Sequence, residues 1–159
     1  LTTQAKDDAI RYVHHEVGNN FRLTNIQAAL GVAQLEQLPG FLKQKRDIYE
    51  HYRQGLASIP GLELAPVPEY STNNHWLSIL SIDRDQYGLD REAAMASLND
   101  NQIQTRPVWY LNHLQQPYQD CQNYLIENAQ SLVDNSLCLP SSVSLSSEMI
   151  KKILMVLRR

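Results

Sequence analysis

Apolar residues recur at helical spacing in the first third of the chain. After Thr24, a residue type favoured at helix N-caps, they recur every three or four positions, as on one face of an α-helix. This stripe is interrupted at Pro39-Gly40 and resumes until Pro60-Gly61. Its first part consists of Ile26, Ala29, Leu30, Ala33 and Leu38, and its second part of Phe41, Leu42, Ile48, Tyr49, Tyr52 and Leu56. The pattern predicts two long helices separated at Pro39.

Beyond residue 60 the pattern changes to short alternating segments. Leu62–Leu64 predicts an edge strand, because prolines follow it closely. Residues 75–82 predict a central strand, because they place apolar side chains on both faces. Residues 103–109, interrupted at Pro107, and residues 137–140 predict two further strands.

Three shorter helices are predicted between and after these strands. Asp90 is an N-cap residue for a helix through Leu98, residues 124–135 form a second helix, and Ser146 caps a third. The apolar stripe of the third is Met149, Ile150, Ile153, Leu154 and Leu157. The order of elements predicts an α+β fold: a small, mostly antiparallel sheet covered by helices and preceded by two long helices. We expect a loop and helical arm over residues 1–59 and a small α+β domain over residues 60–159.

Composition and charge narrow the class of protein. With 159 residues, of which 43% are apolar, the chain can bury a core. A net charge of −3 without a long basic cluster argues against nucleic acid as a partner, and no apolar run approaches the roughly 18 residues of a membrane span. Two cysteines, Cys121 and Cys138, are too few for a disulfide framework and favour a reducing cytoplasm. Because the chain starts at Leu1 without a secretion signal, we expect a cytoplasmic piece of a longer chain.

Few residues are arranged for chemistry. His14-His15-Glu16 offers zinc-ligand types, but adjacent loop residues rarely converge on one ion and no HExxH spacing follows, which favours a solvated loop without a metal. The chain has no GxSxG nucleophile elbow. It also has no GxGxxG or Walker loop to cradle a nucleotide phosphate. The sequence therefore predicts no complete catalytic site within this chain.

The segment that precedes the first helix is the best candidate for binding. Residues 18–31 place the amide of Asn20 and the guanidinium of Arg22 just before a helix N-terminus, where a phosphate or carboxylate is favoured. The alternative is that Asn19 and Asn20 form turns and that Arg22 pairs with a surface acid. The residue types alone favour this alternative.

Residues 16–36 closely resemble the G-x-N-x-R-x-x-x-x-Q-A-A-x-G-x-x-Q-L segment of the DegT/DnrJ-type sugar-nucleotide aminotransferases. Residues 105–109 read T-R-P-V-W and residues 113–118 read H-L-Q-Q-P-Y, which is similar to two further family motifs. Leu139-Pro140 resembles the family's terminal strand, so the resemblance covers nearly the whole chain. The opening residues 1–6 look like the branch that acts on precursors of nine-carbon acidic sugars such as legionaminic acid.

The resemblance implies a fold and a set of site residues. It makes the chain the C-terminal small domain of a fold type I aminotransferase, which uses pyridoxal phosphate and acts as a homodimer. Asn20 matches an asparagine that reaches the cofactor phosphate of the neighbouring subunit, and Arg22 matches an arginine near the same shared site. Arg106, Trp109 and His113 match a loop that faces the nucleotide-sugar substrate, although for these three a purely structural role is about as strongly favoured.

The chain departs from the family pattern at two places and lacks one residue that the family requires. Asn19 stands where the family commonly has an aromatic residue, and Leu111-Asn112 replaces the usual Pro-Leu before His113, so the substrate loop is expected to differ. The family's Schiff-base lysine belongs to a large N-terminal domain, and none of Lys6, Lys43, Lys45, Lys151 and Lys152 matches it.

The resemblance leaves two classes of function. In the first, the parent protein transfers an amino group from glutamate to a nucleotide-linked keto sugar, and this chain alone has no catalytic residues, no metal and no tightly bound cofactor. The helical arm then packs towards the missing large domain. In the second, the chain is a non-catalytic binding or interaction module on the same scaffold, because a fold does not determine a function.

Overall fold

The computed structural model describes Val13, Glu16, Val17 and residues 23–158, which form an α+β fold. The helices are α1 (Asn25–Leu56), α2 (Arg84–Tyr87), α3 (Arg91–Asp100), α4 (Glu127–Asn135) and α5 (Ser147–Arg158). The strands are β1 (Leu62–Leu64), β2 (Ser78–Ile82), β3 (Arg106–Pro107) and β4 (Ser136–Leu139). Two single turns of 3-10 helix, Asn112–Leu114 and Gln116–Tyr118, lie between β3 and α4.

The four strands form one antiparallel sheet in the order β1-β2-β4-β3, so β2 is central as predicted. Leu80 of β2 lies opposite Leu137 of β4, and Ile79 lies opposite Cys138. Because side chains directly opposite each other share a face, Leu80 and Leu137 point to one face and Ile79 and Cys138 to the other. The sequence-based expectation of a small antiparallel sheet covered by helices is confirmed.

One hydrophobic core joins the sheet to α1, α3 and α5. Its largest fully buried side chains are Tyr52, Leu80, Leu98, Leu137, Leu139 and Leu157. The hydroxyl of Tyr52 donates to the carbonyl of Pro140 at 2.9 Å, and that of Tyr87 donates to the carbonyl of Leu157 at 2.9 Å. These bonds satisfy the polar ends of two core aromatics and tie α1 and α2 to the C-terminal segments.

The predicted break at Pro39 is wrong. α1 continues from Asn25 to Leu56 with Pro39 inside it. An internal proline costs roughly 3 kcal/mol because it removes one helical N–H. Ending one helix and starting another would leave about four carbonyls and four N–H groups without helical partners. Since the side chains around Pro39 are exposed, water can reach the freed carbonyl of Leu35, and one continuous helix is the less costly arrangement.

The predicted strands at residues 75–82 and 103–109 are shorter in the structure. β2 begins only at Ser78, because the side chains of Asn73 and Asn74 accept hydrogen bonds from the backbone N–H groups of His75 and Trp76 and hold them in turns. β3 is limited to two residues, since Pro107 has no N–H with which to extend the ladder. The helix predicted from residue 124 begins at Glu127.

The helix caps predicted from the sequence are confirmed. Thr24 forms a capping box with Gln27, whose side chain accepts from the N–H of Thr24 at 2.7 Å. Asp90 accepts from the N–H of Ala93 at 2.9 Å, and Ser146 accepts from the N–H of Met149 at 3.3 Å. Met149 itself is exposed, although its spacing predicts a place in the apolar stripe of α5.

Candidate functional site

An apolar groove of about 740 Å³ borders the sheet face that carries Ile79. Its floor includes Ile79, Ser136 and Ala65, and α4 forms one wall. The wall residues of α4 are Ala129, Leu132 and Val133, and the groove is also lined by residues 108–113 and by several residues of 118–124. A concave, mainly apolar site with a few polar groups at its rim is the usual form of a small-molecule site.

Trp109 and His113 both line this groove, so the structure brings two of the predicted substrate-loop residues together. The loop is fixed locally, because the N–H of Leu114 donates to the carbonyl of Leu111 at 3.0 Å and closes a turn of 3-10 helix around His113. The following Gln115 is buried and interacts within the fold. Trp109 remains 43% exposed, and its indole is therefore accessible to a ligand.

Arg106 lies elsewhere. It is in β3, opposite Cys138, and lines a separate depression of about 580 Å³ beside α3. That depression is also lined by Glu92, Met95 and Asn99. The structure therefore separates Arg106 from the groove that holds Trp109 and His113, although the three residues are close in sequence.

Trp76 is a residue that the sequence pattern does not single out. Its indole contacts that of Trp109, with ring centroids 5.8 Å apart and planes tilted by 33°, and it is 63% exposed. The alternation of apolar positions predicts a strand through Trp76. The two consecutive asparagines before His75-Trp76 are the signal of a turn that presents a side chain outward.

The backbone of Trp76 is held by α1 and by the loop after β4. The ammonium of Lys45 donates to the carbonyl of Trp76 at 2.8 Å and also contacts the carbonyl of Ser141. The hydroxyl of Ser141 donates to the same Trp76 carbonyl at 3.0 Å. Burial lowers the pKa of Lys45, while the carbonyl oxygens of Trp76 and Ser141 around its Nζ favour the charged ammonium.

His75 connects this turn to α1. Its ring lies on that of Tyr49 with centroids 4.4 Å apart, and the Tyr49 hydroxyl donates to the carbonyl of Ala65 at 3.1 Å. Burial, and then the positive charge of Arg46, lower the pKa of His75, whereas Glu50 acts in the opposite direction. The backbone of His75 has φ 49°, a left-handed conformation that is uncommon outside glycine.

Several predicted site residues lie outside the described part of the chain. Asn20, Arg22, His14 and His15 belong to this group, and the anion site predicted before α1 stays a prediction. Within the described residues no cluster of metal-ligating side chains is present. No helix among these residues has the length and apolar character needed to cross a bilayer.

Both cysteines are free. Cys121 is exposed and lines the groove, while Cys138 is half-buried in β4. Burial raises the pKa of the Cys138 thiol, which keeps it protonated and unreactive at neutral pH. The Cys138 thiol therefore lacks the lowered pKa of an activated nucleophile.

Several known proteins that resemble this chain are named for nucleotide-linked sugars. GDP-perosamine synthase of Vibrio cholerae is 34% identical over 148 residues, which are 90% of this chain and 39% of the relative. The dTDP-4-amino-4,6-dideoxy-D-glucose transaminase of Escherichia coli is 29% identical over 86% of this chain and 38% of its own length. The crystal structure of DesI with its TDP-sugar product matches with a TM-score of 0.78 and 26% identity over 89% of this chain.

The chain thus spans about two fifths of the length of the curated relatives it matches. The profile of the DegT/DnrJ/EryC1/StrS aminotransferase family matches residues 2–158, which is nearly the whole chain. This chain belongs to the DegT/DnrJ/EryC1/StrS aminotransferase family.

Proposed function

We propose that this chain is the C-terminal part of a longer pyridoxal-phosphate-dependent enzyme that transfers an amino group from glutamate to a nucleotide-linked keto sugar. The observation that carries the proposal is the family match over residues 2–158 together with the 37–42% share of its relatives that the chain spans. Pyridoxal phosphate supplies the electron sink for amino transfer when it is bound. This chain contributes substrate contacts, and alone it is inactive.

The described residues do not fit a complete pyridoxal phosphate site. Lys45 is committed to two backbone carbonyls, Lys43 pairs with Asp47 on the surface, and Lys152 donates to the carbonyl of Asn101. None of the lysines in the described part lines the groove. In this proposal, the lysine that binds the cofactor belongs to a domain of the parent protein that precedes this chain, as the family resemblance implies.

The groove suits an apolar part of the nucleotide-linked sugar. Trp109 offers an exposed apolar surface and His113 a polar group at the rim, which is the combination that orients a small ligand. Arg106 lies in the neighbouring depression, where its guanidinium suits phosphate oxygens. A substrate that contacts all three residues extends across the β3 edge of the sheet.

The parent protein is proposed to be a cytoplasmic homodimer of polysaccharide biosynthesis, within the legionaminic-acid branch of the family. In this arrangement Asn20 binds the cofactor phosphate of the partner subunit, and Arg22 binds the substrate anion. A mixed dimer tests this directly. One subunit carries Asn20→Ala and the other lacks the cofactor lysine, so one complete site remains if Asn20 acts across the interface. Activity no higher than that of the lysine variant, with wild-type mixtures active, contradicts the shared site.

The proposed activity is tested by comparing the 159-residue chain with the longer protein that contains it. Only the longer protein is expected to show an absorbance band near 400–430 nm with pyridoxal phosphate and to consume glutamate with a nucleotide-linked keto sugar. A longer protein without either property supports the non-catalytic module instead. A single lysine of the 159-residue chain that forms a stoichiometric adduct, trapped by borohydride, contradicts the proposed division of the site.

A further inference from the structure

The chain has two tryptophans, Trp76 and Trp109, and they lie together beside the groove. Indoles usually bury most of their large apolar surface, yet these are 63% and 43% exposed. Two contacting, exposed indoles beside a groove form a contiguous aromatic patch, which is typical of a binding surface. The pair therefore presents flat aromatic faces to something outside the described fold.

The structure fixes Trp76 in this exposed position at an energetic cost. The left-handed backbone of His75 is unfavourable and persists only where its surroundings hold it. Here the side chains of Asn73 and Asn74 accept the two backbone N–H groups, while Lys45 and Ser141 donate to the Trp76 carbonyl. Both ends of the Trp76 backbone are thus anchored, and its indole contacts that of Trp109.

We propose that Trp76 and Trp109 form a stacking platform for the nucleobase of the nucleotide-linked sugar, with Trp76 as a base-stacking residue. This inference rests on the proposed function. The nucleotides named for the relatives, GDP and dTDP, both carry a flat base. A base has two aromatic faces and stacks without burying hydroxyl groups, whereas a hexose carries hydroxyls around its ring. The ammonium of Lys45 is committed to carbonyls, so the platform offers a flat apolar face rather than a cation.

Intrinsic fluorescence tests this platform in the 159-residue chain. Because both tryptophans belong to the pair, excitation at 295 nm reports on the platform alone. GDP and dTDP are expected to quench the emission saturably. Inorganic pyrophosphate and ribose 5-phosphate, which lack a base, are expected to leave it unchanged.

Variants make the test specific to Trp76. Trp76→Ala should weaken nucleotide binding roughly tenfold, as measured through Trp109, because one stacking partner is lost. Trp76→Phe should retain most of the affinity, since a smaller aromatic face remains. Tyr70→Ala, which removes an aromatic ring that is 93% exposed and outside the pair, is the matched control and should change nothing.

Two results overturn the platform. One is the absence of saturable quenching by either nucleotide while the far-UV circular dichroism is that of a folded chain. The other is equal quenching by ribose 5-phosphate, which would identify a sugar or phosphate site. If the nucleotides quench the fluorescence of the 159-residue chain but the longer protein transfers no amino group, only the proposed function is contradicted. If the longer protein transfers amino groups but the nucleotides do not quench the fluorescence, only the stacking platform is contradicted.

Discussion

The two halves of α1 have similar apolar patterns, but the apolar face of one half is buried and that of the other is exposed. In the inner half, residues 41–56, Ile48, Tyr52 and Leu56 are buried against the core. In the outer half, residues 25–40, the exposed fractions are 76% for Ile26 and 62% for Leu30. A helical apolar stripe therefore predicts that one face will be covered, but it does not show which element covers it.

The difference points to what lies beyond this chain. The inner half is covered by β1 and α5, whereas the outer half has no covering element among the described residues. Its exposed large apolar side chains are Ile26, Leu30, Val32, Leu35 and Leu38. Under the proposed function, in which this chain is part of a longer homodimeric protein, the outer half is expected to pack on the preceding domain or on the partner subunit.

The largest expected effect compares one leucine from each half. Leu56→Ala should lower the free energy of unfolding of the 159-residue chain by about 2–5 kcal/mol, because it leaves a cavity beside α5 and β1. Leu30→Ala removes the same atoms from an exposed position and should change it by less than about 0.5 kcal/mol. Urea unfolding measures both. Equal losses would show that the outer half is buried in solution.

A second pair compares two lysines of the inner half. Lys45→Met should destabilise the chain by roughly 1.5–3 kcal/mol, since the carbonyls of Trp76 and Ser141 lose a charged donor. Lys43→Met breaks only an exposed pair with Asp47 and should have a small effect. Thermal unfolding separates the two variants. A Lys45→Met variant as stable as the wild type would mean that Lys45 does not anchor the tryptophan turn.

A third pair compares glycines. A Cβ at Gly55 would lie 2.2 Å from a methyl carbon of Leu154, so Gly55→Ala should cost about 1–2 kcal/mol by overpacking the α1–α5 contact. A Cβ at Gly31 meets nothing within 4 Å, so Gly31→Ala should be neutral or stabilise α1 by up to about 1 kcal/mol. Helicity and urea unfolding check both changes. A stabilising Gly55→Ala would place α5 farther from α1 than described.

The smallest effect is on pH dependence. Because the pKa of His75 is lowered in the fold, chiefly by burial, the unfolded chain binds a proton first as the pH falls. Neutral His75 therefore leaves the stability of the fold undiminished above about pH 6.5, the ordinary pKa of histidine. As the pH drops below that value, the fold loses stability relative to the unfolded chain. His75→Asn, which tolerates the left-handed backbone, should flatten this dependence, while His51→Asn on the exposed surface should not. An unchanged slope in His75→Asn contradicts a role for His75.

Local features and the general α+β architecture were predictable, and specific contacts between distant side chains were not. The caps at Thr24, Asp90 and Ser146 depend on neighbouring residues, so their sequence signals were sufficient. The prediction of a helix break at Pro39 was wrong, because the free-energy cost of a proline inside a helix is smaller here than the cost of two extra helix ends. The Trp76–Trp109 contact joins distant segments through turns that hydropathy does not encode. For the same reason, the closeness of Arg106 and Trp109 in sequence did not predict that they line different cavities.

Hydrogen exchange along α1 tests the central claim, that the outer half is an interface to the rest of the protein. In the 159-residue chain, the amides of residues 29–38 should exchange much faster than those of residues 45–56, because only the inner half is packed. In the longer protein both halves should be protected to a similar degree. Outer-half amides that exchange equally fast in both proteins would contradict the claim.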